Sequence, residues 1–457
     1  MNSNDNRNDG ICFSTFDTSE YHSKYNGNAN ENMNSSTCDN QLYPVNKLPE
    51  KYRHIFSNYT YFNKIQTKAI NAIFNTDQSV VVSSPTGSGK TVIFELAIIR
   101  FLEMLGKFSN NLQDFKIIYV APIKALCSER HEDWKNKFTV HGLKCIEITG
   151  DSEVLDYVSL ITNYQLIITT PEKWDSLTKK CKEFKYQLNM IKLFLIDEVH
   201  LINDGIRGAI LETIVSRTKL IPKTQPKIND FTLRFVAVSA TVTNVEDIAK
   251  WLTNDQNGPA HYLKNTDDER QVKLQKMVLG YNYNTSSFKF DFDLTYKLKP
   301  LIRQYSNGRP TLIFCSTRKS VEFTCSILVK DITISLSDDK QRCINELSKE
   351  INNKKIKEMF KFGIGFHHAG ISIKERSVVE NLFRNGFLNI LIATSTLAMG
   401  VNLPAHLVII KSTEYYSFNG YKEYNECQIL QMVGRAGRPQ FDSTATAIIM
   451  TKKSMKV

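Results

Sequence analysis

The stretch Ser84-Pro85-Thr86-Gly87-Ser88-Gly89-Lys90-Thr91 follows the apolar, β-branched run Val80-Val81-Val82. It precedes Val92 to Leu105, where apolar residues recur at helical spacing. The order is strand, glycine-rich turn, helix. Backbone N–H groups of such a turn converge on phosphate oxygens, and the helix N-terminus adds partial positive charge. In that arrangement Lys90 reaches the β- and γ-phosphates and the Thr91 hydroxyl holds Mg²⁺. The usual pattern opens on glycine; here Ser84 stands at that place. A chance glycine-rich turn would lack the flanking strand and helix. The chain is therefore expected to be arranged around a nucleoside triphosphate.

Upstream, Phe62 and Gln66 are four residues apart and would share a helical face. The ring is expected to cover an adenine, and the amide to pair with its edge as donor and acceptor. Downstream, Lys116–Ala121, Cys145–Thr149, Leu166–Thr170, Leu193–Ile196 and Phe235–Val238 read as strands separated by helices. Near-continuous apolar strands of this kind form parallel sheets covered on both faces. Ligands bind beyond the strand C-terminal ends in such sheets. Asp197-Glu198-Val199-His200 lies at one of those ends. Asp197 is placed to hold Mg²⁺, directly or through water, and Glu198 to deprotonate the attacking water. Ser239-Ala240-Thr241 ends the next strand. Its hydroxyls either bond across the cleft or cap a helix over Val245 to Leu252; both readings stay open.

A second alternating block begins with Thr311–Cys315 and continues through Ile364–His368, Ile390–Ala393, Leu407–Ile410 and Ala445–Met450. It has no phosphate loop of its own. Gln431, Arg435 and Arg438 fall at i, i+4 and i+7, which on a continuous helix puts two guanidiniums and an amide on one face. Two glycines cost about 1 kcal/mol each in a helix, which a plain solvated helix has no reason to carry. The two arginines are read as fingers for the triphosphate held by the first block.

The expected organisation is an Asn/Ser-rich, disordered segment over 1–45, an ATP-binding domain over 46–285, a linker over 286–299 and a second domain over 300–457. The first forty residues hold ten Asn, and such a composition cannot bury enough apolar surface to order itself. The net charge of +11 suits a polyanionic partner. Nine scattered cysteines form no C-x-x-C pair and fit a reducing compartment. No run approaches the roughly 18 apolar residues of a membrane helix, and no apolar signal core opens the chain.

The phosphate loop, Asp197-Glu198-Val199-His200, Ser239-Ala240-Thr241 and Gln431 to Arg438 together resemble the superfamily 2 DExH-box helicases. Ala121-Pro122-Ile123-Lys124-Ala125-Leu126-Cys127, Thr170-Pro171-Glu172-Lys173-Trp174-Asp175, Phe366-His367-His368-Ala369-Gly370 and Thr396 to Ala405 are similar to the Ski-two-like class. Phe94-Glu95-Leu96-Ala97 and Gln440-Phe441-Asp442 resemble its meiotic crossover DNA helicases. The resemblance covers residues 48 to 451. It implies an α/β fold of two tandem RecA-like parallel-sheet domains with the ATP site in the cleft between them. The cofactors are then ATP and Mg²⁺, the motor moves 3′ to 5′, and the location is the nucleus.

Carried over residue by residue, Lys124, Thr149, Gly150, Thr170, Pro171, Arg318, His368 and Thr396 contact the nucleic-acid backbone. Gly400 and Asn402 link that groove to the ATP site, and His200 and Gln431 couple the domains, with Ser239 and Thr241. Phosphate contacts suit DNA and RNA alike; the meiotic resemblance favours DNA. The residues name no protein partner. Tyr415 to Tyr421 contains Asn419-Gly420, a hairpin signal, and in relatives a hairpin here is a wedge at the duplex junction. Class members continue into winged-helix and ratchet domains, so this sequence is expected to be a fragment or short form, with stimulated ATPase but poor processive unwinding.

Overall fold

The computed structural model describes residues 42–455 except 109–114, 151–156, 180–186, 221–231, 243, 255–257, 267–268, 284–285, 333–335, 402, 418–419 and 440. The segment read as a disordered tail falls outside these, apart from residues 42–45. The described residues divide into two units, one running to Gln271 and the other starting at Val272.

In the first unit, seven strands form one parallel sheet: β1 Val80–Ser83, β2 Lys116–Val120, β3 Cys145–Ile148, β4 Leu166–Thr169, β5 Ile191–Ile196, β6 Arg234–Ser239 and β7 His261–Lys264. Their spatial order is β3-β4-β2-β5-β6-β1-β7. Alternate residues serve opposite faces. Val80 and Val82 enter one core with Leu193 and Leu195, while Val81 enters the other with Phe194 and Ile196. That double burial is why β1, β2, β4, β5 and β6 read as unbroken apolar runs. The edge strand β7 is largely exposed and ends in Lys264, a residue type that discourages further strand pairing.

One charged residue is built into this interior. Arg234 is 6% exposed, and its guanidinium donates to the carbonyls of Ala72, Ile73 and Gln78. Two of these belong to the last turn of the helix Lys64–Phe74, whose carbonyls have no partners within the helix. Burial lowers the Arg234 pKa to about 10, which leaves it charged at neutral pH.

The second unit has a six-stranded parallel sheet and a hairpin. The sheet strands are β8 Lys273–Tyr281, β9 Thr311–Cys315, β10 Ile364–His367, β11 Ile390–Thr394 and β12 Leu407–Ile410. The hairpin strands are β13 Glu414–Ser417 and β14 Gly420–Glu423, and β15 Thr444–Lys452 returns to the sheet. The sheet order is β10-β11-β9-β12-β15-β8. No helix among the described residues is long and apolar enough to cross a membrane.

The domain boundary differs from the sequence expectation. β8 pairs with β15 from Lys273↔Thr444 to Tyr281↔Lys452, and Met277 and Leu279 join the second core. The division therefore falls at 271/272. Helices Ser287–Tyr296 and Leu298–Tyr305 occupy what read as a linker. The first of them is tied in by charge. Asp291 accepts from the Lys411 ammonium at 3.1 Å and from the hydroxyls of Ser316 and Ser320. Lys411 is 0% exposed. A polar-looking helix was misread because its one buried carboxylate finds its cation 120 residues away.

Candidate active site

The glycine-rich turn is shaped by two left-handed residues, Gly87 at φ 77° and Gly89 at φ 76°. The helix Thr91–Phe108 starts immediately after Lys90. The Ser84 and Ser88 hydroxyls share a hydrogen bond of 2.9 Å across the loop. The Lys90 ammonium donates to the carbonyls of Ser84 (3.2 Å) and Ser239 (3.1 Å), so it is anchored at the ends of β1 and β6. Pro85 and Thr86 complete the curl.

Phe62 and Gln66 do not form the base-binding pair expected of them. The helix begins at Lys64, with Asn63 as its N-cap. Phe62 therefore lies before the helix, not on its face. Its ring is 0% exposed and packs edge-on against Phe56 at 5.2 Å. The neighbouring Tyr61, 55% exposed, is the ring that faces solvent. Gln66 closes a capping box with Asn63, and its amide donates to the Gly89 carbonyl at 3.1 Å. Asn63 donates to the Ser88 carbonyl at 2.9 Å. Both side chains thus brace the phosphate loop; Gln66 spends one N–H and one lone pair inside the protein and keeps the second of each. The N-x-x-Q spacing carried that capping signal.

Asp197 follows β5 and is held at both oxygens. Oδ1 accepts from the Glu198 N–H at 2.9 Å, and Oδ2 accepts from the Tyr119 hydroxyl at 2.6 Å. Burial, and then the Glu198 charge, push its pKa up to about 6. Burial and the adjacent carboxylate hold the Tyr119 hydroxyl well above its usual value, so the tyrosine is the donor. Glu198 adopts φ 52°, ψ 48°, a left-handed conformation uncommon outside glycine and often found at functional sites.

His200 is 1% exposed, and its Nδ1 accepts from the Ala240 N–H at 3.3 Å. Burial lowers its pKa, so the ring is neutral. The Glu198 carboxylate at 3.4 Å from that nitrogen is then a polar neighbour and not an ion pair. The Ser239 hydroxyl lies 3.3 Å from the same nitrogen. The helix-cap reading of Ser239-Ala240-Thr241 is set aside by the position of the helix start. The helix Val245–Leu252 has Asn244 at its N-cap, while Ser239 reaches across to His200.

These donors fit a magnesium nucleotide. Thr91 and Asp197 offer hard oxygen ligands, and no cluster of three or more His, Cys, Asp or Glu able to hold a metal occurs among the described residues. Mg²⁺ commonly takes one or two protein oxygens and completes its shell with substrate phosphates and water. Bound there, it would neutralise charge developing on the phosphates. Lys90 would hold phosphate oxygens, and Glu198 would accept a proton from water.

The nucleic-acid candidates lie on the other strands of the same sheet edge. Lys124, Thr149 and Thr170 follow β2, β3 and β4, which are neighbours in the order β3-β4-β2. Lys124 is exposed, and its ammonium lies 3.4 Å from where a Cβ on Gly150 would sit. Thr170 caps the helix Pro171–Thr178 by accepting from the Lys173 N–H at 3.4 Å, with Pro171 opening the helix.

In the second unit the same relation recurs on β10-β11-β9. Exposed Arg318 follows β9 and opens the helix Arg318–Asp331. His368 follows β10, is 3% exposed, and accepts at Nδ1 from the Gly370 N–H. Burial lowers its pKa, so it acts as a neutral group. Thr396 follows β11 and shares a 2.9 Å hydrogen bond with Thr394. Gly400 ends the helix Thr396–Gly400; Asn402 lies outside the described residues.

The arginine segment is not one helical face. The helix Glu426–Val433 carries buried Gln431 and ends at Gly434. Arg435 and Arg438 lie beyond it, in a loop stitched to Ala405 by the Ala405–Arg435 and Gly437–Ala405 backbone hydrogen bonds. Gly437 has φ 103°, and a Cβ there would meet Val272 at 2.9 Å. The helix has already ended at Val433, before either arginine, and Gly437 then turns the chain in a way no helix allows, so the i, i+4, i+7 reading fails. Arg435 donates to the Ala398 carbonyl. Arg438 makes a bidentate pair with Asp442, at 2.8 and 3.1 Å, and its own N–H donates to the same carboxylate. Asp442, whose role sequence reasoning missed, also accepts from Arg309 at 3.2 Å.

Residues 63–248 match the DEAD/DEAH box helicase model, and residues 294–440 match the helicase conserved C-terminal domain. The chain is 49% identical to a probable ATP-dependent DNA helicase HFM1 of Xenopus tropicalis, over 95% of this chain and 33% of the relative. It is 42% identical to the ATP-dependent DNA helicase MER3 of Saccharomyces cerevisiae, over 90% of this chain and 33% of the relative. The chain thus spans about a third of the length of these curated relatives. The crystal structure of the DUF1998 helicase MrfA bound to DNA and AMPPNP shares the fold, with a TM-score of 0.65 at 19% identity, over 90% of this chain and 52% of that one. With both domain matches in order, one in each parallel-sheet unit, the chain carries a DEAD/DEAH box helicase domain followed by a helicase conserved C-terminal domain and is similar to the DNA helicases HFM1 and MER3.

Proposed function

We propose that this chain is the motor of an ATP-driven 3′ to 5′ DNA helicase that acts in the nucleus during meiotic crossover formation. The observation that carries the motor reading is the convergence of Lys90, Asp197, Glu198 and His200 at the ends of β1, β5 and β6. Glu198 is the general base, Asp197 and Thr91 hold Mg²⁺, and Lys90 holds the triphosphate. Arg435 and Arg438 act on that triphosphate during turnover, which requires Arg438 to leave Asp442. DNA is favoured over RNA because the relatives are named as DNA helicases. The meiotic role and the nuclear location rest on the family resemblance. Lys124, Thr149, Gly150, Thr170, Pro171, Arg318, His368 and Thr396 grip the phosphate backbone.

The test is ATP turnover with single-stranded DNA and with RNA of equal length. DNA is expected to stimulate more strongly, and Glu198→Gln to lower kcat at least about 100-fold, as loss of a general base does. Equal stimulation by RNA would replace the DNA assignment. Unchanged turnover in Glu198→Gln would remove the base assignment.

A further inference from the structure

We infer that Tyr119 is a positioning residue for the metal-binding carboxylate, fixing the plane of Asp197 through its hydroxyl and tying it to the strand that leads to Lys124. The inference rests on the reading of Asp197 as a Mg²⁺ ligand.

Tyr119 lies on β2, next to β5 in the sheet. β5 ends at Ile196, beside Asp197; β2 ends at Val120, four residues before Lys124. The two strand ends are locked together, since the Asp197 N–H donates to the Val120 carbonyl at 2.9 Å. The Tyr119 hydroxyl adds a side-chain tie of 2.6 Å one residue earlier.

An aspartate's terminal torsion is broad and nearly two-fold. One hydrogen bond, from the Glu198 N–H to Oδ1, leaves the carboxylate free to swing about that bond. A second donor on Oδ2 removes the freedom. Each carboxylate oxygen keeps a further lone pair, so both donors can stay while the group meets a cation or its water. Mg²⁺ demands near-ideal octahedral geometry, so an orientation fixed in advance matters more for it than for a tolerant cation.

The tyrosine is itself held. Its ring is 0% exposed and lies edge-on between Phe94 at 5.4 Å and Trp134 at 4.9 Å. Phe94 belongs to the helix that starts at the phosphate loop, and Trp134 to the helix Lys124–Phe138. Trp134 Nε1 donates to Glu95 at 3.2 Å, and Lys137 donates to the same carboxylate at 2.7 Å. The helix that begins at Lys124 is thereby pinned to the helix that begins at Thr91, with the Tyr119 ring between them. A buried tyrosine satisfied only for its own sake could use any carbonyl; this one is aimed at the metal carboxylate.

The experiment uses the full 457-residue chain with a non-hydrolysable ATP analogue and Mn²⁺ as the metal probe, reading free Mn²⁺ by electron paramagnetic resonance. Tyr119→Phe keeps the ring and its packing. It is expected to weaken Mn²⁺ binding about tenfold, the usual effect of losing an outer-shell partner of a metal ligand. Analogue binding without metal should stay at the wild-type value, and the thermal midpoint should fall by only a few degrees, as for one lost hydrogen bond. In turnover, the Mg²⁺ concentration for half-maximal rate should rise by the same factor, and saturating Mg²⁺ should restore kcat. Trp134→Phe, which alters packing but leaves the hydroxyl, should lower the thermal midpoint more than Tyr119→Phe does and weaken Mn²⁺ binding less. Asp197→Asn serves as the reference for a lost ligand. If Asp197→Asn loses Mn²⁺ and Tyr119→Phe binds it like wild type, the inference is overturned and the site reading stands. If Asp197→Asn also binds like wild type, the reading of Asp197 as the ligand falls, and the inference with it.

Discussion

Asp442 shows how one side chain can organise a loop of arginines. Its carboxylate is fully buried, yet it faces Arg438, Arg309 and, at 3.3 Å, His406. Burial raises its pKa, but the hydrogen bonds and charge of Arg438 outweigh this and hold it below 3.8. A depressed pKa adds stability that is complete above the unfolded value and is lost as pH falls through the folded one. Asp442→Asn is therefore expected to lower stability at neutral pH by about 2 kcal/mol, since a buried acceptor loses its charge-assisted hydrogen bonds from Arg438 and Arg309. It should also show less further loss than wild type below about pH 4. Urea midpoints from pH 7 to pH 3 measure both; parallel curves would contradict the assignment. Gly89 illustrates the same economy without charge. Its φ of 76° would strain any residue with a side chain, and a Cβ there would push Gln66 Nε2, 2.5 Å away, off the Gly89 carbonyl.

At the level of elements, the strands were the readable part. A strand covered on both faces must be apolar throughout, and β1, β2, β4, β5, β6, β9, β11 and β12 announce themselves in that way. Motifs at their C-terminal ends were equally plain, because turn and cap chemistry there admits few residue types. What was hidden depended on partners distant in sequence. Nothing local in β8 says that its neighbour is β15. The helix Ser287–Tyr296 looked like a linker until Lys411 was placed against Asp291. Phe62 was placed on a helical face with Gln66, but it precedes the helix and its ring is buried against Phe56. The arginines were put on a helix that ends before them, at Val433. The hairpin, by contrast, was signalled by Asn419-Gly420, and β13 and β14 pair as expected, with Tyr416 edge-on to Tyr421 at 5.4 Å; residues 418–419 lie outside the described set. Lys452 on β15 pairs with Glu414 at its base. If the hairpin is a strand-separating wedge, replacing the four residues 417–420 by Gly-Gly should abolish duplex unwinding while DNA-stimulated ATPase stays within about two-fold. Loss of both together would assign the hairpin to the motor itself.

For the whole molecule, each sheet repeats one plan. In the first unit, β3-β4-β2 present the backbone-gripping candidates and β5-β6-β1 the phosphate chemistry. In the second, β10-β11-β9 carry Arg318, His368 and Thr396, and β12 leads to the arginine loop through Ala405. Only Lys124 and Arg318 among the eight gripping candidates are charged at neutral pH, so hydroxyls, backbone and neutral imidazole make most of the proposed contacts. Salt dependence should accordingly be shallow for a chain of net charge +11. Each neutralised phosphate of a single strand adds about 0.7 to the slope of log K against log salt. Lys124→Ala is expected to lower that slope by about 0.7 in fluorescence-anisotropy titrations; an unchanged slope would place Lys124 away from the strand.

The pairing of β8 with β15 has a consequence for how the second unit is made. Its opening strand, beginning at Lys273, emerges from the ribosome long before Thr444, where its neighbour starts. Throughout that interval a nine-residue ribbon has no mate. Anything that halts translation before β15 leaves an adhesive, half-built sheet, just as a halt before β6 leaves β1 of the first unit without a neighbour, so quality control of the nascent polypeptide bears on both units.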